Sequence, residues 1–326
     1  MPRWLSSTLK LILTLGVLGA VVMAAEPAAL LASLQDVSWT WVVVAVLLLP
    51  VNLFLDGWVW KQLLSPVLPQ VPLPRLAGAV MSGLALGFWT PARVGEYAGR
   101  AFFLPEGDRW TLSLTVFSQR MIDMAVGILV GLLVLTGALY EGLLPATPAW
   151  QATAAIGGGI GGVLLVFITA PSLAYRLACR FFPNWTRLTE RAAFFDELSG
   201  PTCVAALSGT VARYGVFTGQ LACLGAALAP SAHGLQLWGA ASLTFYVKYL
   251  IPSLTLLDLG IREGGAAFFF QVLGLGAAAG LNAALLLFTI NVLVPALIGI
   301  PFLAQLRFST GAAQNAYSVF STPSGS

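Results

Sequence analysis

Charge is what this sequence has least of. Of 326 residues, 16 are Lys or Arg and 13 are Asp or Glu, so 9% are charged. A water-facing globular chain carries about 25%. So sparse a set cannot cover a solvated surface, which excludes a soluble enzyme and a disordered chain. There is one histidine, His233, and three cysteines, Cys179, Cys203 and Cys223, with no Cys-x-x-Cys. That leaves no material for a structural zinc site, a Cys/His nucleophile or a disulfide-stapled secreted module. No G-x-x-x-x-G-K-[ST] occurs, so transport coupled to ATP is not expected of this chain. The net charge of +3 gives no reason to expect a nucleic-acid partner. No metal and no cofactor is expected.

What is present is apolar: 58% of the residues are hydrophobic, with 34 glycines and 19 prolines, both of which membrane helices tolerate. The fold class read from this is an all-α polytopic membrane protein. A helical span needs about 20 mostly apolar residues. The gaps between charges place spans at Leu11–Ala25, Val37–Leu55, Leu76–Ala92, Met124–Tyr140 with a start near Trp110, Gly142–Tyr175, Pro201–Ala229, Leu235–Leu257 and Gly264–Leu306. The reading is about eight transmembrane segments with one or two re-entrant or broken helices and an internal pseudo-repeat. Residues 1–308 form the membrane domain, and 309–326 read as a disordered polar tail. The first segment also has the layout of a secretory signal, but an uncleaved span is simpler in so apolar a chain.

Arg3, Lys10, Lys61, Arg75, Arg100, Arg109, Arg176, Arg180, Arg187 and Arg191 fall on one side if the N-terminus is cytoplasmic and Leu76–Leu104 enters and leaves from that side. Glu26, Asp36, Glu141 and His233 fall on the other. The expected location is the cytoplasmic (inner) membrane, with the side of the C-terminus open. Tyr175–Leu198 mixes arginines with aromatics and reads either as an interfacial amphipathic helix or as a cytoplasmic linker.

Ionisable groups inside a bilayer cost several kcal/mol unless paired or wet, so those within the spans are the functional candidates. They are Asp56, Arg93, Glu96, Arg120, Asp123, Arg213, Lys248, Asp258, Arg262 and Glu263. Arg120 and Asp123 share a helix face and can pair. Arg93 and Glu96 have the same spacing, but Pro91, Gly95 and Gly99 predict a break, with a re-entrant tip near Pro91–Glu96. A second break is expected at Gly260–Gly265, followed by a long apolar helix. Arg93, Arg120, Arg213, Lys248 and Arg262 are cations at membrane depth. Arginine's planar fork suits phosphate, so the expected ligand is a phosphate-bearing lipid headgroup. Glu96, Asp123, Glu263, Asp56 and Asp258 would balance these charges, and one of them would carry a coupling proton if an ion gradient drives transport.

The successive motifs Pro91-Ala-Arg-Val-Gly-Glu96 with Arg100, Gln119-Arg-Met-Ile-Asp123 and Gly260-Ile-Arg-Glu-Gly264 resemble those of the lysylphosphatidylglycerol synthase transmembrane-region family, also called flippase-like domain proteins. The resemblance covers roughly Leu9 to Leu306. It implies an all-helical inner-membrane protein. In bifunctional members this module is linked to moving aminoacylated phosphatidylglycerol across the bilayer, and other members are associated with polyprenyl- or dolichyl-phosphate-linked sugars. The expectation here is a stand-alone module without the aminoacyl-transferase domain, so lysyl transfer is not implied. Where family patterns often have Pro-Gly-Gly before Gly260, this chain has Leu257-Asp-Leu259.

Three functions compete. The first is a translocator of a phospholipid or a polyprenyl-phosphate-linked lipid. The second is a membrane enzyme of envelope glycan or phospholipid synthesis, for which Glu106-x-Asp108 would chelate a metal unless it is simply a solvated loop. The third is a scaffold partnering an envelope-biosynthesis enzyme. The intramembrane charges favour the first. The sequence does not set the oligomeric state.

Overall fold

The computed structural model describes residues 37–173, 176, 180, 194–251 and 260–319, with the side chains of residues 91, 196–197 and 307–319 left aside. The expected span Leu11–Ala25, most of the loop Tyr175–Leu198, Cys179 and Asp258 lie outside the described residues. Every regular element among them is helical. The chain is an integral membrane protein. Helices Trp39–Leu64 (α1), Arg109–Tyr140 (α4), Pro148–Thr169 (α5) and the run Ala277–Leu306 are each long and apolar enough to cross a bilayer.

The other helices of ten or more residues are Leu73–Trp89 (α2), Val94–Phe103 (α3), Gly200–Leu228 (α6), Gly234–Leu250 (α7) and Ile261–Val272 (α8), and the run Ala277–Leu306 consists of Ala277–Phe288 (α9), a π turn and the start of Val294–Val319 (α10). The charge gaps located the helices but not which of them cross. With 10 and 12 residues, α3 and α8 reach only about 15 and 18 Å, half of a hydrocarbon core about 30 Å thick.

Both short helices fold back on a neighbour. In α2–α3 the contacts run antiparallel: Gly78 faces Phe103, Gly83 faces Gly99 and Arg100, and Gly87 faces Glu96. In α7–α8, Gly265 lies against Thr244, while Leu237 and Phe270 both pack at Gly225. The two hairpins enter from opposite ends of the bundle. The open end of α2–α3 lies with Phe302, whose ring is 6.5 Å from Phe103. The open end of α7–α8 lies beyond the C-terminus of α6, where the Ala227 carbonyl accepts from Ser38 N–H at 3.0 Å. Arg93 and Arg262, at the starts of α3 and α8, line one cavity. The end of α10 around Gln305 lines one surface cavity with Arg75 and Phe103, which places Leu306 at the Arg75 end.

Two sequence expectations change. Gly95 and Gly99 do not break a helix. They sit inside α3, four apart, and let its backbone touch α2, as small residues do in membrane interfaces. A Cβ on Gly99 would lie 2.6 Å from the Gly83 Cα. The break lies at Thr90–Arg93, within the expected tip at Pro91, where Ala92 and Arg93 have φ of 52° and 55°. After Gly260–Gly265 the stretch divides into a half-length helix and then the long apolar run Ala277–Leu306. Gly260, with φ 105°, starts the short α8, and the chain reverses at Leu273–Gly276 before α9.

Gly99→Ala should therefore destabilise the protein by about 1–3 kcal/mol, because backbone rather than a movable side chain fills the space. Gly215→Ala on α6, which meets nothing within 4 Å, serves as the control. Thermal melting in detergent checks the pair. Equal melting temperatures would mean the hairpin legs are not in contact.

Candidate functional site

The candidate site lies where the start of α3 meets α1, α4 and α6, with the start of α8 beside it. Its centre is Arg100, on α3 one turn beyond Glu96 and fully buried at 0% exposure. Sequence reading placed Arg100 among the loop charges that set orientation, and that is corrected here. Its guanidinium donates to Asp56 Oδ2 at 2.5 Å, to Glu96 Oε1 at 2.7 Å and to Gln119 Oε1 at 2.9 Å. Gln119 in turn donates to the Asp56 backbone carbonyl at 3.0 Å and to Oδ1 at 3.1 Å. The face of Arg100 stacks 5.1 Å from the Trp60 ring, whose indole N–H donates to Thr115 Oγ1 at 2.8 Å.

The predicted residues join this centre in sequence. Glu96, 1% exposed, also accepts from Arg120 and lies 3.4 Å from Arg93. Arg120 reaches Asp123 at 3.0 Å across one turn of α4, as their spacing predicts. From α6, Arg213 donates to both Asp123 oxygens at 2.8 Å and pairs with Asp56 Oδ1 at 3.0 Å. Asp56 is thus locked inside the bundle and does not snorkel. Arg262 and Glu263 lie apart from the network and pair with each other, while Glu263 Oε2 accepts from the Gly260 N–H at 2.7 Å and so fixes the start of α8.

The network is unbalanced. Glu96 alone faces three guanidiniums. Four arginines, Arg93, Arg100, Arg120 and Arg213, stand against the carboxylates of Asp56, Glu96 and Asp123. Buried ion pairs persist in low dielectric only where hydrogen bonds satisfy each ion, and here the bonds link four elements.

Two cavities adjoin the network. The inner one, about 70 Å³, is lined by Arg93, Arg213, Lys248 and Arg262 against Asp56 among its charged residues. The larger, about 400 Å³, is lined by Arg93, Glu96, Arg120, Asp123 and Lys248, with Tyr97 and Tyr249. Arg93 and Lys248 line both. Arg93 holds that position through a left-handed backbone, which costs a non-glycine residue about 1–2 kcal/mol. Such strain is kept where a site needs it.

Sequence reasoning missed three further groups: Gln119, Asn52 and Asn291. A charge-gap reading passes over neutral amides. The signal for Gln119 was its place beside Arg120 in the second motif, and for Asn52 an amide inside an otherwise apolar run two residues after Pro50. The metal reading of Glu106-x-Asp108 loses its residues. Asp108 caps α4, accepting from the Thr111 N–H at 2.9 Å, and Glu106 pairs with Arg75 at 2.6 Å.

The lysylphosphatidylglycerol synthase TM region family model matches residues 7–299, and the chain belongs to that family. No curated protein is significantly similar to the chain.

Proposed function

We propose that this member of the lysylphosphatidylglycerol synthase TM region family translocates a lipid or lipid-linked sugar, binding its phosphate at the hairpin tips. The observation that carries the reading is the lining of the inner cavity, where Arg93, Arg213, Lys248 and Arg262 share the space with Asp56 beside the starts of two helices of only 10 and 12 residues. Charges at membrane depth facing a cavity mark a substrate path, and broken helices mark a binding site between structural halves.

Arg93, Arg213, Arg262 and Lys248 contact the phosphate, and Arg120 meets it from the larger cavity. Asp56, Glu96, Asp123 and Glu263 hold the arginines when no lipid is bound, and Asp258 adds to that balance. The cycle exchanges arginine–carboxylate pairs for arginine–phosphate pairs. The substrate is a membrane phospholipid or a polyprenyl-phosphate-linked lipid, and an envelope-biosynthesis enzyme would supply or consume it. The protein lies in the inner membrane with its N-terminus cytoplasmic, so that the end carrying Lys61, Arg75, Arg109 and Arg176 faces the cytoplasm.

Native mass spectrometry of the gently extracted protein tests the binding. The wild type should retain a phosphate-bearing lipid, and Arg93→Ala/Arg262→Ala should retain about tenfold less, the effect of losing charge-assisted hydrogen bonds. Identical lipid profiles would remove the arginine–phosphate site and favour a scaffold.

A further inference from the structure

Beside the cations, the inner cavity holds a neutral pair that the charge argument does not use. Asn52 Nδ2 donates to Asn291 Oδ1 at 2.8 Å. Both residues line the cavity, and they are only 6% and 8% exposed. Asn52 stands two residues after Pro50, inside α1. Asn291 lies in a π-helical turn, Thr289–Leu293, between α9 and α10. Pro295 has no N–H to offer the Asn291 carbonyl, and π turns of this kind recur at functional sites. Two irregularities in otherwise long helices therefore bring two amides face to face.

The pair leaves an acceptor open. Asn52 Oδ1 is buried and has no hydrogen-bond partner among the described residues. A buried carbonyl without a donor is costly, so the position calls for an O–H or N–H from whatever enters the cavity. A cationic group is disfavoured as that donor by Arg93, Arg213 and Arg262, which line the same space. A hydroxyl carries no charge and supplies the proton.

We infer that Asn52, held by Asn291, is a specificity residue that accepts a hydrogen bond from a hydroxyl of an anionic polyol-phosphate headgroup, a glycerol or sugar hydroxyl attached through phosphate to lipid. The inference rests on the phosphate-binding reading above. Phosphate affinity comes from the arginines, and the choice among phosphates comes from the amide.

The test uses the full chain in nanodiscs and two lipid pairs matched in phosphodiester charge. One pair is phosphatidylglycerol and phosphatidylmethanol, which lacks headgroup hydroxyls. The other is a prenyl-phosphate-linked hexose and the methyl ester of the same prenyl phosphate. In one of the pairs the hydroxyl-bearing member should bind about tenfold tighter, and which pair does so identifies the source of the headgroup. Asn52→Leu should abolish that preference while leaving the hydroxyl-free lipid unchanged. Asn291→Leu, which frees Asn52 to turn away, should weaken the preference as well and guards against a variant that fails to fold. Equal binding within both pairs, or a preference that survives both substitutions, overturns the inference. If none of the four lipids binds more tightly than diacylglycerol, the phosphate reading itself fails and takes this inference with it.

Discussion

Glu96→Gln should be strongly destabilising, by about 3–5 kcal/mol. Glu96 is buried against three guanidiniums in a network that already has more arginines than carboxylates. Neutralising it leaves four arginines facing Asp56 and Asp123 alone. Removing one partner of a buried ion pair costs about 3–5 kcal/mol, against a total stability of about 5–15 kcal/mol. Arg100→Met should be milder than Glu96→Gln, although Arg100 makes more hydrogen bonds. It removes a cation from a cationic excess, and Arg93, Arg120, Arg213 and Gln119 continue to serve the carboxylates. Melting curves in detergent for the two variants check the order. If Glu96→Gln melts within about 2 °C of wild type, the network is not balanced as the geometry implies.

The second large effect is on transport without loss of fold. Arg93 makes only a 3.4 Å contact with Glu96 and is about a third exposed, at 32%, so it contributes little to the latch. Its left-handed backbone is one that glycine adopts without cost. Arg93→Gly should thus be as stable as wild type. It should nevertheless translocate its lipid about 10- to 100-fold more slowly in reconstituted vesicles, the loss expected for a charge-assisted hydrogen bond to phosphate. Undiminished transport by this variant would separate Arg93 from the lipid path. A fall in both transport and melting temperature would make Arg93 a structural residue.

Much of this site was legible because an ionisable residue inside an apolar run stands out. Asp56, Arg93, Glu96, Arg120, Asp123 and Arg213 were found that way, and the structure joins all six. Arg100 belongs with the first motif, but it reads with Arg109 as one of the charges flanking the broken segment, not as a site residue. Its spacing of four from Glu96, with glycines at 95 and 99 on the adjoining face, was the overlooked sign. The number of crossings was less legible. An uncharged stretch long enough for a half-span and a span looks the same whether the chain passes through or turns back. For Leu76–Leu104 the break at Pro91 suggested the turn, and the contact of Gly99 with Gly83 shows the two legs packed together.

That glycine contact also decides how the first hairpin can move. Legs in backbone contact cannot slide or flex against each other, so α2 and α3 behave as one stiff lever. Its fulcrum is at Leu64–Leu73 and Leu104–Asp108, and its arm, the length of α2, is about 25 Å. A tilt of only about 5° at the fulcrum sweeps the tip through about 2 Å. Glu96, opposite Gly87, would move nearly that far from Arg120, while Arg100, opposite Gly83 about 15 Å along the arm, would move about 1.3 Å from Asp56. The Glu96 pairs therefore sit where leverage is greatest, and the Arg100–Asp56 pair sits nearer the middle of the arm.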